Sequence, residues 1–171
     1  MKNNKGYSLV EIIIVVAIIS VLTAGIGMSA SVINNSNAKA CANSIRDALA
    51  DAKILAMSKG SNSTRVKLYK DVDGDLFARQ EINRASAGWE LYGNEERIGK
   101  RKVEICYVMP GSSAEHTLNN SDSIYLSFDR ASGSFSDKAA GTIIPEKIVV
   151  RGGNRTINIV IHELTGKVDV Q

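Results

Sequence analysis

Glu11 stands at the head of the longest apolar run in the chain. From Ile12 to Ile33 the sequence IIIVVAIISVLTAGIGMSASVI holds 22 residues without a charge. A carboxylate in a membrane costs up to about 3 kcal/mol at the bilayer centre and less at the interface. An ordinary anchor gains nothing from it, so Glu11 is a candidate functional residue. A second candidate is the basic run Arg97, Lys100, Arg101 and Lys102, which follows Trp89 and Tyr92 in the sequence. Cations interleaved with aromatics bind single-stranded nucleic acid by neutralising phosphates and stacking bases. A solvated loop or a subunit contact is the plainer reading of the same residues.

Three other patterns point to less. Asp71–Val72–Asp73–Gly74–Asp75 matches part of a calcium loop, but the glycine falls one place early and Ile82 occupies the closing glutamate position. A hairpin turn explains Asp-Gly better. Cys41 and Cys106 allow one disulfide, a helix-to-sheet staple in an oxidising compartment. Two buried free thiols are the equal alternative. With His116 and His162 as the sole histidines, no metal site and no cofactor motif is expected, and no nucleophile–base arrangement is seen.

The elements that would position these residues follow from pattern. The 22-residue run would span about 33 Å as a helix, close to the thickness of a bilayer core. Lys2 and Lys5 precede it and Lys39 is the next charge, which places the N-terminus in the cytoplasm and the rest outside. The run is too long for the apolar region of a secretory signal, about 7–15 residues, despite a small-x-small pattern at Ala38–Lys39–Ala40. Ala38, Cys41, Ile45, Ala48/Leu49, Ala52 and Leu55/Ala56 then recur at spacings of three and four, the apolar face of an amphipathic helix. The pattern predicts one helix from about Leu9 to Lys59, with Asn34–Asn37 a weak point and Gly60 a C-cap.

After Gly60 the period changes to two. Strands are expected at Ser63–Tyr69, Leu76–Ile82, Trp89–Tyr92, Val103–Met109, Ser123–Phe128, Lys147–Arg151, Arg155–His162 and Lys167–Val170. Asp73–Gly74, Pro110–Gly111, Ser132–Gly133, Gly152–Gly153–Asn154 and Thr165–Gly166 separate them. The last three strands read as two consecutive hairpins. The fold class is α+β: a long N-terminal helix packed on an antiparallel sheet or two-sheet β domain. With 171 residues, a formal charge of +3 and 44% apolar residues, there is enough material for one core. The charge bias is too small to argue for nucleic acid by itself.

Lys5–Gly6–Tyr7–Ser8–Leu9–Val10–Glu11 with the apolar run resembles the class III signal of type IV pilins and type II secretion pseudopilins. The resemblance implies that a prepilin peptidase cuts between Gly6 and Tyr7 and that Tyr7 becomes N-methylated. A glycine before the cut has no side chain and enters a peptidase site in extended form. It implies an assembly role for Glu11 and Tyr7, in which the carboxylate of one subunit meets the free amine of a neighbour. Two charges compensated in a poor dielectric reward one stagger of helices over others. Many major pilins carry a proline in the second half of this helix; here Gly25, Gly27, Ser29 and Ser31 stand instead. The stretch from Ile45 to Gly60 leading into a strand, and the closing hairpins with Ile157, Ile159 and Gly166–Lys167–Val168, are similar to the H-type minor pseudopilins and the FimT-type minor pilins. Those relatives pack the helix against two antiparallel sheets.

The organisation implied is a leader at 1–6, a membrane and filament-core helix at 7–33, an amphipathic helix at 34–60 and an exported β-rich domain at 61–171. The expected function is that of a structural subunit, not an enzyme, and a minor, initiating or tip-proximal one. Its partners would be the peptidase/methylase, other pilin or pseudopilin subunits and, before assembly, the cytoplasmic membrane. Its final place would be an extracellular or periplasmic filament. A major pilin is one competing expectation. A DNA- or surface-binding module displayed on a filament is another.

Overall fold

The computed structural model describes residues 8–59, 64–84, 88–120 and 122–171, without the side chains of residues 24–31. By internal contacts the chain divides into Met1–Ile33 and Asn34–Gln171. One α-helix, α1, runs from Leu9 to Lys59 and belongs to both units. Asn34–Asn37 does not interrupt it. Asn35 Oδ1 accepts a hydrogen bond of 3.0 Å from the Asn154 backbone N–H, so a tertiary contact holds poor helix-forming residues in place. The expected cap, Gly60, lies outside the described residues.

The Asn34–Gln171 unit is the α+β part. Ten strands follow the helix: β1 (Thr64–Lys70), β2 (Leu76–Arg84), β3 (Gly88–Gly99), β4 (Glu104–Val108), β5 (Glu115–Thr117), β6 (Ser123–Phe128), β7 (Phe135–Ser136), β8 (Lys147–Gly152), β9 (Arg155–His162) and β10 (Lys167–Val170). They form two antiparallel five-stranded sheets, ordered β3-β2-β1-β6-β7 and β10-β9-β8-β4-β5. The closing hairpins are present as expected, with Val149 opposite Asn158 and Val168 opposite Ile161.

Strand alternation makes the core. Val66 and Leu68 of β1, Ile124 and Leu126 of β6, Ile105 of β4, and Ile157, Ile159 and Ile161 of β9 point inward at every second position. They meet Ala38, Ala42, Ile45, Leu49, Ala52 and Ala56 of α1 in one cluster. The helix face is mostly alanine, so the backbone comes close to both sheets. Two glycines make room for it. A Cβ at Gly152 would lie 2.7 Å from Asn34 O and 2.9 Å from Ala38 Cβ; one at Gly99 would lie 3.0 Å from Cys41 Sγ. At the other end Lys53 Nζ donates to Thr165 O at 2.9 Å, tying α1 to the β9–β10 turn.

Three expectations needed correcting. β3 covers twelve residues rather than the four of Trp89–Tyr92, and β5 and β7 were not foreseen. β3 is an edge strand whose residues 91–97 are all exposed, so it has no buried alternation to read. β5 and β7 have three and two residues, too few for a period to register.

Candidate functional site

The helix begins with a built start signal. Ser8 Oγ accepts the Glu11 backbone N–H at 3.2 Å, and Ser8 O accepts the Ile12 N–H at 3.2 Å. Ser8 is therefore the N-cap, and Glu11 is the third helical residue. Ser-x-x-Glu is the capping-box spacing, a signal present in the sequence and not used there. Glu11 also sits in the first turn, where a negative charge is favoured by the helix dipole. Its carboxylate is exposed and has no hydrogen-bond or ion-pair partner among the described residues. Gly6 and Tyr7 lie outside the described residues.

From Leu9 to Leu22 the helix has no cover among the described residues. Leu9, Val10, Ile12 to Val16, Ile18, Ile19, Val21 and Leu22 are each at least 49% exposed. Five consecutive apolar residues point in all directions around a helix, so no face of it is polar. Burying a Val, Leu or Ile fully is worth about 1.5–3 kcal/mol, so eleven half-exposed side chains leave on the order of 10 kcal/mol unrealised. The two hydroxyls in the stretch are satisfied internally: Ser20 Oγ donates to Val16 O at 2.7 Å and Thr23 Oγ1 to Ile19 O at 2.9 Å. Among the described side chains of this stretch, Glu11 alone asks for a polar environment. Among the described residues no helix is long and apolar enough to cross a membrane; the side chains of 24–31, inside the uncharged run, are not among them.

Residues 1–27 match the family model described as the prokaryotic N-terminal methylation motif. The chain carries a class III prepilin signal. That signal is the N-terminal segment of pilin-like and pseudopilin subunits, whose family is structural rather than enzymatic. The prepilin signal implies processing by a prepilin peptidase, membrane anchoring and assembly with other pilin subunits. Neither the comparison with curated proteins nor that with solved structures returned a match.

The other sequence candidates fall in the Asn34–Gln171 unit. Both cysteines are buried and free. Cys41 faces the core beside Gly99, and burial pushes its thiol up to about 12. Cys106 follows the inward Ile105 and so faces the other side of its sheet. There its Sγ lies 3.5 Å from Thr117 Oγ1 and 3.4 Å from an Arg151 guanidinium nitrogen. A sheet stands between the two sulfurs, so the helix-to-sheet bridge does not form. Asp71 and Asp75 brace the turn of residues 71–75. Asp71 Oδ1 accepts the Asp75 N–H at 2.8 Å, and Asp75 pairs with Arg97 at 3.0 Å and accepts the Arg101 N–H at 3.0 Å.

The structure separates the basic run from Trp89. Arg97 sits near the end of β3, and Lys100, Arg101 and Lys102 follow in the β3–β4 turn. Trp89 is at the opposite end of β3, eight residues or roughly 26 Å away. It pairs instead with a residue that sequence reading passed over. The Arg65 guanidinium lies 3.9 Å from the centre of the Trp89 ring and 4.1 Å from that of Tyr125. Its Nε donates to Glu81 at 2.7 Å. Arg79 donates to the other Glu81 oxygen, and Lys67 sits 4.8 Å from the Tyr69 ring centre. Cross-strand register brings these groups to the outer face of one sheet, with Arg65 opposite Glu81 and Lys67 opposite both Arg79 and Tyr125. The signal was period two in β1 itself: Arg65, Lys67 and Tyr69 alternate with Val66 and Leu68.

Proposed function

We propose that this chain is a minor structural subunit of a type IV pilus or type II secretion pseudopilus. A peptidase removes residues 1–6 between Gly6 and Tyr7, and Tyr7 is methylated. Residues 7–33 anchor the subunit as a single membrane pass with the N-terminus cytoplasmic. Residues 34–60 pack on the exported domain of residues 61–171, which faces outward and ends in an extracellular or periplasmic filament. The subunit carries no catalytic activity of its own.

The observation that carries this reading is the uncovered apolar helix behind a capped Glu11 that has no partner among the described residues. Such a surface needs either lipid or like helices around it. Lipid satisfies the apolar side chains but not the carboxylate; a bundle of copies satisfies both, when Glu11 meets a neighbour's Tyr7 amine. The helix on two antiparallel sheets supports the minor, H- or FimT-type reading, because those relatives are built in the same way.

Two measurements test it. The intact mass of the mature protein is expected to equal residues 7–171 plus one methyl group. An N-terminus at Met1, or one near Lys39–Cys41, sinks the reading. Glu11→Ala is expected to leave membrane insertion intact and to reduce incorporation into filaments at least tenfold, measured as the sheared or pelleted fraction. Incorporation at the wild-type level would remove Glu11 from its role.

A further inference from the structure

The basic run has no place in the assembly of helices, yet the fold gathers it at one end of the Asn34–Gln171 unit. Arg97, Gly99 and Lys100 line a concavity of about 300 Å³ whose opposite wall is Asn37, Ala40 and Ser44 of α1. The β8–β9 turn lies at the same end of α1, with Asn154 bonded to Asn35 and Gly152 against Asn34. Arg155 follows it directly and is exposed. Lys39, Lys100, Arg101, Lys102 and Arg155 have no ion-pair partner among the described residues. Four carboxylates lie near them, Glu104 just after the basic turn and three in the β1–β2 turn. Asp75 is spent on Arg97 and on the Arg101 N–H, Asp71 accepts the Asp75 N–H, and Asp73 is exposed. The cations outnumber them.

Asn37 is four residues beyond Ile33, the last residue of the uncharged run. Even a fully extended chain would carry it at most about 14 Å further. The headgroup layer occupies about 5–7 Å on each side of the hydrocarbon core, and a charge is felt over a Debye length of about 8–10 Å. We infer that the Lys100–Lys102 turn, with Lys39 and Arg155 at the same end of the Asn34–Gln171 unit, binds the phosphate headgroups of anionic lipids on the outer surface of the membrane before the subunit is assembled. The inference rests on the single-pass reading above. Arginine suits it because its guanidinium matches phosphate oxygens in pairs, and lysine supplies the point charge. Nucleic acid is the weaker occupant. Single strands need stacking platforms beside the cations; the Lys100–Lys102 turn carries no ring, and the Tyr69–Phe77 stack stands opposite Arg97 alone.

The contact gives the anchored subunit a preferred pose. A basic end held at the lipid surface limits tilting of the exported domain while the chain waits for a partner. Extraction into a filament breaks those contacts, so anionic lipid sets part of the resistance to assembly.

The test uses the full chain in nanodiscs, one set of phosphatidylcholine and one with about a third phosphatidylglycerol. Amide exchange is read at residues 97–103 and at residues 12–33. The expected result is slowing of residues 97–103 by several-fold in the anionic discs alone. Replacing Lys100, Arg101 and Lys102 by glutamine is expected to abolish that difference, since each cation near an anionic surface is worth about a fivefold effect. Equal exchange in the two lipids overturns the inference. So does protection in plain phosphatidylcholine by inorganic phosphate, which marks a free-anion site, or by a single-stranded oligonucleotide without protection by anionic lipid. Residues 12–33 report the other reading separately: fast exchange there in both discs means that the single pass itself is wrong.

Discussion

Glu81 is buried on a sheet face that otherwise looks outward. Burial pushes its carboxyl up, and the hydrogen bonds from Arg79 and Arg65 outweigh that and hold it below the ordinary carboxylate range. Removing one partner of a buried pair costs about 3–5 kcal/mol, because the other charge stays buried. Arg65, at 12% side-chain exposure, is such a charge. Glu81→Gln is thus expected to destabilise the protein by about 3 kcal/mol in thermal unfolding in detergent at neutral pH. The pH dependence has a fixed sign. A lowered folded value means that the ion pair stabilises fully above the unfolded value, about 4.3, and is lost as pH falls through the folded one. The wild-type protein should therefore lose stability on acidification below about pH 4, and Glu81→Gln should flatten that limb. An unchanged acid limb would assign it to other carboxylates. The cysteines give a second residue-scale prediction. Alkylation of the native protein should label neither thiol, and alkylation after denaturation without reductant should label both. A denatured protein that takes up label only after reduction would contradict the free thiols.

Among the elements, α1 was the most legible, since its apolar spacing holds from Ala38 to Ala56 and its start is written in Ser8 and Glu11. The strands were legible where one face is buried. β1 and β9 alternate cleanly, with inward residues at every second place. β3 was not, because an exposed edge strand rich in glutamate has no core face to encode. The close fit between α1 and the sheets was also invisible, since a glycine in a hairpin turn reads as turn chemistry. Gly152 is needed for space: its added Cβ would meet backbone as well as a side chain. Gly152→Ala is expected to cost about 2 kcal/mol through overpacking. Gly111 is the control, with φ of +73° and nothing within 4 Å of an added Cβ. Gly111→Ala should cost about 1 kcal/mol, from backbone strain alone. Equal losses in the two variants would mean that the helix does not press on Gly152.

At the scale of the molecule, the two units ask for different surroundings, and one helix serves both. The prepilin signal was readable because it is local: Gly6, Tyr7, Glu11 and the apolar run are contiguous. The outer-face network of Arg65, Glu81, Trp89 and Tyr125 was not, because pairing of β1 with β2 and β6 assembles it from residues up to 60 apart. The same contrast decides where the chain can be cut. Among the described residues the first member of the buried core is Ala38. Ile45, Leu49 and Ala52 lie at its centre, fully or almost fully buried. Leu/Ile→Ala changes in a core cost about 2–5 kcal/mol each, and a domain this size holds only about 5–15 kcal/mol in all. A fragment of residues 34–171 is therefore expected to be soluble, folded and cooperative in unfolding. A fragment of residues 61–171 leaves both inner sheet faces bare and is expected to aggregate or remain without a melting transition. Circular dichroism with thermal unfolding separates them. A cooperative transition in the shorter fragment would show that the sheets close on each other without α1, and that the second half of the helix belongs to the anchor rather than to the exported domain.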